Sequence, residues 1–275
     1  MDNHLQAILE LVKNKKGVDF SGYRPRFVER RIRQRFTATA CKTLQEYYYY
    51  LLIHSDELNL LFDLLTINVS KLFRHPLIFD YFGEMLLPEI IRKKIESNNR
   101  TIRIWSAGCA CGEEAYSLAM TLVDVITRKN IALDLDIFAT DIDTNVLDKA
   151  KIGRFRYESI ENVKTRFLKD YFHPVNDEFQ ICSKIRSLIT FSRFDLINSR
   201  TYAPSESVFG SFDIVLCRNV LIYYQTSHQC IIFDKLYRSL SKGGYLVLGR
   251  TETPVESYRN KFIMVCEGSC IYQKL

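Results

Sequence analysis

Apolar positions change their spacing partway along the chain. From residue 1 to about 66 they recur every three or four residues, the period of a half-buried helix. Leu5, Ile8, Leu9 and Val12 mark a first helix, and Gly17-Val18-Asp19-Phe20-Ser21-Gly22 breaks it. A second follows Pro25, with Val28, Ile32 and Phe36 four apart. A third covers Leu44 to Leu52 and a fourth Glu57 to Leu65. The tyrosine run 47–50 reads as alternating core and surface of the third helix.

From about residue 100 short apolar runs alternate with helical stretches. Thr101–Trp105 reads as a strand entering the small turn Ser106–Gly112, and Glu113-Glu114 then opens a helix. Leu135–Thr140 ends at Asp141, Leu188–Phe194 at Asp195, and Phe212–Cys217 at Arg218-Asn219. A helix around Ile231–Leu240 precedes Gly243-Gly244 and a strand at Tyr245–Leu248. Phe262–Cys266 and Cys270–Gln273, split by Glu267-Gly268-Ser269, read as a closing hairpin. Such alternation predicts an α/β fold, a mostly parallel sheet covered on both faces. Its ligand is expected beyond the carboxyl ends of the strands, where Gly108, Asp141, Asp195 and Asn219 fall.

Bulk properties narrow the class. The 275 residues suit a small helical domain, 1–66, and a larger one, 67–275. No apolar run reaches the ~18 residues of a membrane span. The start Met1-Asp2-Asn3-His4 lacks a basic, then apolar, leader, so a cytoplasmic protein without membrane insertion is expected. The eight cysteines form no C-x-x-C pair and lack histidines at zinc-finger spacing, so reduced core thiols and no metal are expected. The net charge of +6 is uneven: Arg24 to Arg35 holds six arginines against one acid, Glu29. Arg26, Arg30 and Arg33 fall on one helical face, which suits an acidic partner or merely a solvated surface.

Each polar strand end allows two readings. The turn Ala107–Gly112 is small enough for close backbone approach, but it is not a G-x-G-x-x-G. Two acids after it suit a ligand bearing an ammonium group; equally, they complement the helix dipole. Asp141, 33 residues after Gly108, could accept ribose hydroxyls or cap the next helix, a task open also to Asp143 or Thr144. Asn219 could face the same crevice or cap a loop.

Four ordered motifs then converge. Asn68-Val-Ser70-Lys-Leu-Phe-Arg74 resembles the Asn-x-Thr-x-Phe-Phe-Arg motif of the CheR family, the chemotaxis receptor glutamate methyltransferases. Trp105–Ser117 resembles its Trp-Ser-Ala-x-x-x-x-Gly-Glu-Glu-Pro-Tyr-Ser. Ala139–Asp143 and Cys217–Tyr223 match two more motifs, and Asp19-Phe20 with the arginine-rich helix matches its amino-terminal domain. The resemblance spans essentially the whole chain. It implies a class I S-adenosylmethionine-dependent methyltransferase: a Rossmann-like, seven-stranded, mostly parallel sheet with a small helical N-terminal domain. It also implies a small antiparallel β-subdomain at about 171–190, which in some members grips a receptor tail. The short, glycine-free turn Pro174–Glu178 leans towards a member independent of that tail.

By the same resemblance Asn68, Ser70, Arg74, Gly108, Glu114, Asp141, Asp195, Leu196, Asn219 and Val220 line the cofactor site. Glu114 takes the methionine ammonium, Asp141 the ribose, and Asp195-Leu196 the adenine. Arg74 and Tyr223 stand nearest methyl transfer, and Arg26, Arg30 and Arg33 dock the substrate. The implied partner is the cytoplasmic helical region of chemotaxis receptors, not nucleic acid, and the implied state is a monomer. Ser70 replaces the family's threonine, Leu72 its phenylalanine, Ala115 its proline and Asp195 an asparagine. Residues 198–211 form a longer connection with no assigned role. A nucleic-acid methyltransferase would share the cofactor fold but favour an Asn/Asp-Pro-Pro-aromatic strand end over Arg218-Asn219-Val220. A cofactor-binding regulatory module remains the other alternative.

Overall fold

The computed structural model describes residues 3–68, 70–198, 200–208 and 211–275. The chain forms two compact units: Met1–Asn68 with Ile222–Gln229, and Val69–Leu221 with Cys230–Leu275.

The first unit is helical: α1 (Asn3–Lys16), α2 (Pro25–Thr37), α3 (Leu44–Ile53) and α4 (Ser55–Thr66). Each buries the stripe its spacing marks. Leu5, Ile8, Leu9 and Val12 come from α1, Phe27, Val28 and Ile32 from α2, and Leu58, Leu61, Phe62 and Leu65 from α4. Gly17 ends α1 at φ +67, its N–H reaching the Lys13 carbonyl. Thr43 caps α3 by accepting from the Glu46 N–H. Of the tyrosine run only Tyr47 is buried, and it donates to the buried Glu57 carboxylate at 2.8 Å. Arg35 donates to the same carboxylate, so the buried charge is paired and hydrogen-bonded. The segment 222–229 joins this unit through a bridge between Tyr23 and Tyr224 and a bond from the Arg24 N–H to the Tyr223 carbonyl.

The second unit holds ten strands: β1 (Thr101–Ala107), β2 (Asp134–Asp141), β3 (Arg154–Phe155), β4 (Phe172–Val175), β5 (Glu178–Ile181), β6 (Ile189–Arg193), β7 (Phe212–Cys217), β8 (Leu240–Leu248), β9 (Phe262–Met264) and β10 (Ile271–Lys274). Seven form one sheet in the order β6-β2-β1-β7-β8-β10-β9, parallel except for β10, which runs antiparallel to β8 and β9. This is the expected sheet. Its helices are α5 (Pro76–Tyr81), α6 (Leu87–Glu96), α7 (Glu113–Lys129), α8 (Thr144–Ile152), α9 (Tyr157–Ile160), α10 (Thr165–Tyr171), α11 (Ser183–Arg186) and, from Cys230 on, α12 (Thr226–Ser239). A π-helical turn, Phe82–Leu86, links α5 to α6.

Alternation along β1 sorts residues between two faces. Ile102 and Ile104 join a core cluster with Leu118 and Leu122 of α7. Trp105 instead packs against Phe194 and Phe212, with its indole N–H donating to Thr140 Oγ1. Strand order reverses at β1, which lies between β2 and β7, so the switch-point crevice opens at the carboxyl end of β1.

The small antiparallel sheet has the order β3-β5-β4. It starts earlier than the motif reading places it, at Arg154, and residues 189–190 already belong to the large sheet, paired with Ile137 and Phe138. A two-residue β-strand is too short to leave a period in the sequence. The β4–β5 hairpin closes over Asn176-Asp177, Asn176 supplying the left-handed φ of +54 without a glycine. β8 also begins before the expected Tyr245, running on from α12 through Gly243-Gly244. A β-carbon on Gly244 would stand 3.0 Å from the Phe212 carbonyl, which explains how glycines sit inside a strand. All eight cysteines are free thiols. No helix among the described residues is long and apolar enough to cross a membrane.

Candidate functional site

The carboxyl end of β1 leads into a turn that glycine makes possible. Gly108 has φ +77, and both it and Cys109 donate their N–H groups to the Thr140 carbonyl. A β-carbon at 108 would lie 2.5 Å from Val220 Cγ2. Backbone geometry and the close approach of Val220 therefore both require glycine there. Gly112, at φ +87, then hands the chain to α7.

Two acids open α7, and burial separates their roles. Glu114 Oε1 accepts from Ser106 Oγ at 2.9 Å, and Oε2 pairs with Arg218 at 3.1 Å. Arg218 also donates to the Arg74 carbonyl at 3.1 Å. Its Nε–H is buried and has no partner. Glu113 is only 4% exposed, and its Oε2 has no hydrogen-bond partner. Burial pushes its carboxyl up to about 7, with Asp141 and Glu114 adding to the rise.

Asp141 ends β2 and also resists ionisation because it is buried. Its Oδ2 accepts from the Ala110 N–H and its Oδ1 from the Asp143 N–H. The cap of α8 belongs to Asp143, whose carboxylate accepts from the Asn145 N–H. Asp141 is thus relieved of the capping task that the sequence left open, and each of its oxygens keeps acceptor capacity.

Asn219 sits at φ +60 beyond β7, and its N–H donates to Glu252 Oε2. The same oxygen takes the Gly249 N–H, so one buried carboxylate ties the β7 and β8 ends together. Asp195 spends its Oδ1 on the N–H groups of Ile197 and Asn198. That holds the turn after β6 and buries Leu196.

The segment before α5 is strained and pinned. Phe73 and His75 both have positive φ, +52 and +61. Leu72 donates its N–H to the Ser159 carbonyl, and Phe73 donates to Ser117 Oγ at 2.7 Å. The buried Phe73 ring packs between Phe79 and Phe167. Burial of Leu72 shows how an aliphatic residue serves where the family motif has phenylalanine.

Within the second unit the structure therefore gathers Gly108, Glu114, Asp141, Asn219 and Val220 around the switch point. Ser70 and Arg74 lie on the pinned segment, and Asp195-Leu196 close β6. Asn68, Tyr223 and the three arginines belong to the first unit. There Asn68 donates to Thr66 Oγ1, and the Tyr223 ring lies 5.1 Å from that of Phe27. Arg26, Arg30 and Arg33 are exposed, and Arg33 pairs with Glu29 at 2.9 Å. Sequence reasoning gave no role to Arg218 as the partner of Glu114, nor to Glu252. Arg218 stood inside a matched motif, a usable signal; Glu252 lies beyond β8, outside every motif, and left none.

Comparison with known proteins agrees across the chain. The family described as "CheR methyltransferase, SAM binding domain" matches residues 68–269, and "CheR methyltransferase, all-alpha domain" matches residues 3–66. A chemotaxis protein methyltransferase from Borreliella burgdorferi is 28% identical, over 95% of this chain and 92% of its own. Chemotaxis protein methyltransferase 2 of Vibrio cholerae is 31% identical, over 87% and 81%. A 104.1 kDa uncharacterized protein of Rhodobacter capsulatus is 32% identical over 98% of this chain, which spans 27% of that much longer one.

Proposed function

Since the chain belongs to the CheR methyltransferase family, and is an S-adenosylmethionine-dependent methyltransferase of the chemotaxis type, we propose that it esterifies glutamate side chains in the cytoplasmic helical region of chemotaxis receptors. The observation that carries this reading is that Asp141, bonded to the Ala110 N–H, and the Glu114–Arg218 ion pair flank the Gly108 turn. The site offers carboxylate acceptors for a ribose and an ammonium. The unpartnered Arg218 Nε–H offers a donor for a carboxylate. An amino-acid nucleoside needs that set, and the glycine at 108 lets Val220 pack directly on the turn. Asn68, Ser70, Asp195-Leu196 and Asn219-Val220 are proposed to complete the cofactor's surroundings, from their places in the family's motifs.

When bound, S-adenosylmethionine supplies an activated methyl group on a sulfonium. The protein's share is position and field. A glutamate carboxylate has an ordinary pKa of about 4.3 and is already ionised at neutral pH. No general base is required. Arg74, whose side chain makes no bond among the described residues, and Tyr223 are proposed, from their places in the family's motifs, to orient that carboxylate. The helical domain, 1–66, is proposed to dock the receptor through Arg26, Arg30 and Arg33, while 67–275 carries the chemistry. The exposed basic face of α2 and the chemotaxis names of the relatives support this division.

The test is transfer of radiolabelled methyl from S-adenosylmethionine to receptor-containing membranes, followed by mild alkali. Label on the receptor that alkali releases as methanol is expected. Alkali-stable label would overturn the carboxylate as acceptor. No label with cofactor binding intact would favour a regulatory module.

A further inference from the structure

A hollow of about 440 Å³ lies beside Arg74, bounded by α5 and by the turn between β9 and β10. His75, Leu77, Ile78 and Tyr81 form one wall; Arg250 and residues 266–269 form the other. Leu77 is 82% exposed on the first turn of α5, three residues after Arg74. One exposed leucine is ordinary, but this one edges a concave, partly apolar surface. Arg250 lines the hollow and Arg74 adjoins His75 of its wall, and neither forms an ion pair among the described residues. Arg250 is exposed beyond β8, and among the described residues its side chain has no hydrogen bond or ion pair. The Arg74 guanidinium likewise has no partner among the described residues. Burial lowers the His75 pKa, and the charges of Arg218, Arg74 and Arg250 lower it further. Arg250 lines the hollow with His75, the residue after Arg74, and the Arg74 carbonyl takes a hydrogen bond from Arg218. Arg218 is matched by Glu114; the other two are not. Glu267 is the acid on the rim, exposed on the turn and not paired with Arg250.

We propose that this hollow is a specificity site for substrate polypeptide: it takes an aliphatic side chain against Leu77, Ile78 and Tyr81, and Arg250 takes a second carboxylate close to the glutamate being esterified. The inference rests on the receptor-glutamate reading above. Chain geometry links the two. Three residues span at most about 10 Å, so a peptide that presents a glutamate to Arg74 is within reach of Leu77. The occupant is accordingly an amphipathic, acidic helix with two neighbouring carboxylates. One carboxylate is committed to Arg74, and the other meets Arg250. Lone surface charges contribute little, but a carboxylate held between an apolar wall and an unpaired guanidinium is less screened.

Two readouts on the full-length protein test this. The first is fluorescence anisotropy of a labelled, alanine- and leucine-rich helical peptide with adjacent glutamate pairs, at saturating S-adenosylhomocysteine. Wild type should bind it, while Arg250→Glu and Leu77→Asp should each weaken binding about tenfold or more. Arg250→Lys should recover most of the loss. Replacing the second glutamate of each pair by glutamine should weaken wild-type binding and leave Arg250→Glu little changed. S-adenosylhomocysteine affinity should stay the same in every variant, which also reports that they fold. Peptide affinity unchanged in both Arg250→Glu and Leu77→Asp, or no binding by wild type, would overturn the site. The second readout is alkali-labile methylation of receptor membranes. Label by wild type and variants at equal KM would reject the hollow and keep the receptor-glutamate reading. Peptide binding through the hollow without alkali-labile label would reject that reading and keep the hollow.

Discussion

Arg218 NH1 lies 3.1 Å from Glu114 Oε2 in a pair whose side chains are only 3% and 13% exposed. Removing the arginine alone leaves a buried carboxylate with one neutral donor, Ser106. Breaking such a pair on one side costs about 3–5 kcal/mol. Arg218→Met should therefore lower stability in urea unfolding by an amount in that range. Arg218→Met with Glu114→Gln should recover much of it, because no unpaired charge remains. Neither variant should bind S-adenosylhomocysteine as wild type does by calorimetry. Full cofactor affinity in the double variant would make the pair structural only.

Gly108→Ala tests the turn itself. The added methyl meets Val220 at 2.5 Å and sits on a backbone at φ +77. A left-handed conformation costs a non-glycine residue about 1–2 kcal/mol before any clash. Thermal unfolding should fall by several degrees, and cofactor affinity should fall further as the turn and Val220 part. Pairing Gly108→Ala with Val220→Ala should return part of the stability by relieving the clash. The φ penalty would remain.

The sequence made the large sheet legible because its strands are long apolar runs ending at polar residues. Both the Gly108 turn and Asp141 stand at such ends. The small sheet was legible only in its hairpin, since β3 has two residues and pairs with β5 across the α9 and α10 segment. Position alone did not separate Asp141 from Asp143 as the α8 cap; the hydrogen bonds do. Nor did it show that Glu113 and Glu114, adjacent in sequence, meet opposite fates. That difference depends on Arg218, 104 residues on from Glu114, which no local pattern reports.

Glu113 supplies a pH signature. Its carboxyl rises from 4.5 to about 7 on folding because it is buried without a partner for Oε2. Between those values the folded protein holds a proton that the unfolded chain has released. Stability therefore falls as pH rises through about 4.5 to 7, and the full penalty applies above it. The penalty is at most about 3 kcal/mol. Glu113→Gln removes the charge and keeps the shape. It should melt higher than wild type at pH 8, with the gap closing towards pH 5. A pH-independent difference in melting temperature would show that Glu113 is not the titrating group.

The α2 arginines rank themselves by their partners. Arg33 shares its charge with Glu29 at 2.9 Å, whereas Arg26 and Arg30 form no ion pair among the described residues. If α2 docks an acidic receptor helix, Arg26→Glu and Arg30→Glu should raise the receptor KM more than Arg33→Glu does. Cofactor affinity should not change, since these side chains are exposed. The effect should shrink as ionic strength rises from about 0.01 M to 0.15 M, where the Debye length falls from about 30 Å to 8 Å. KM values equal to wild type in all three reversals at low salt would mean that this face is only solvated. The receptor would then be held by other surfaces, with Arg250 and Leu77 the next to examine.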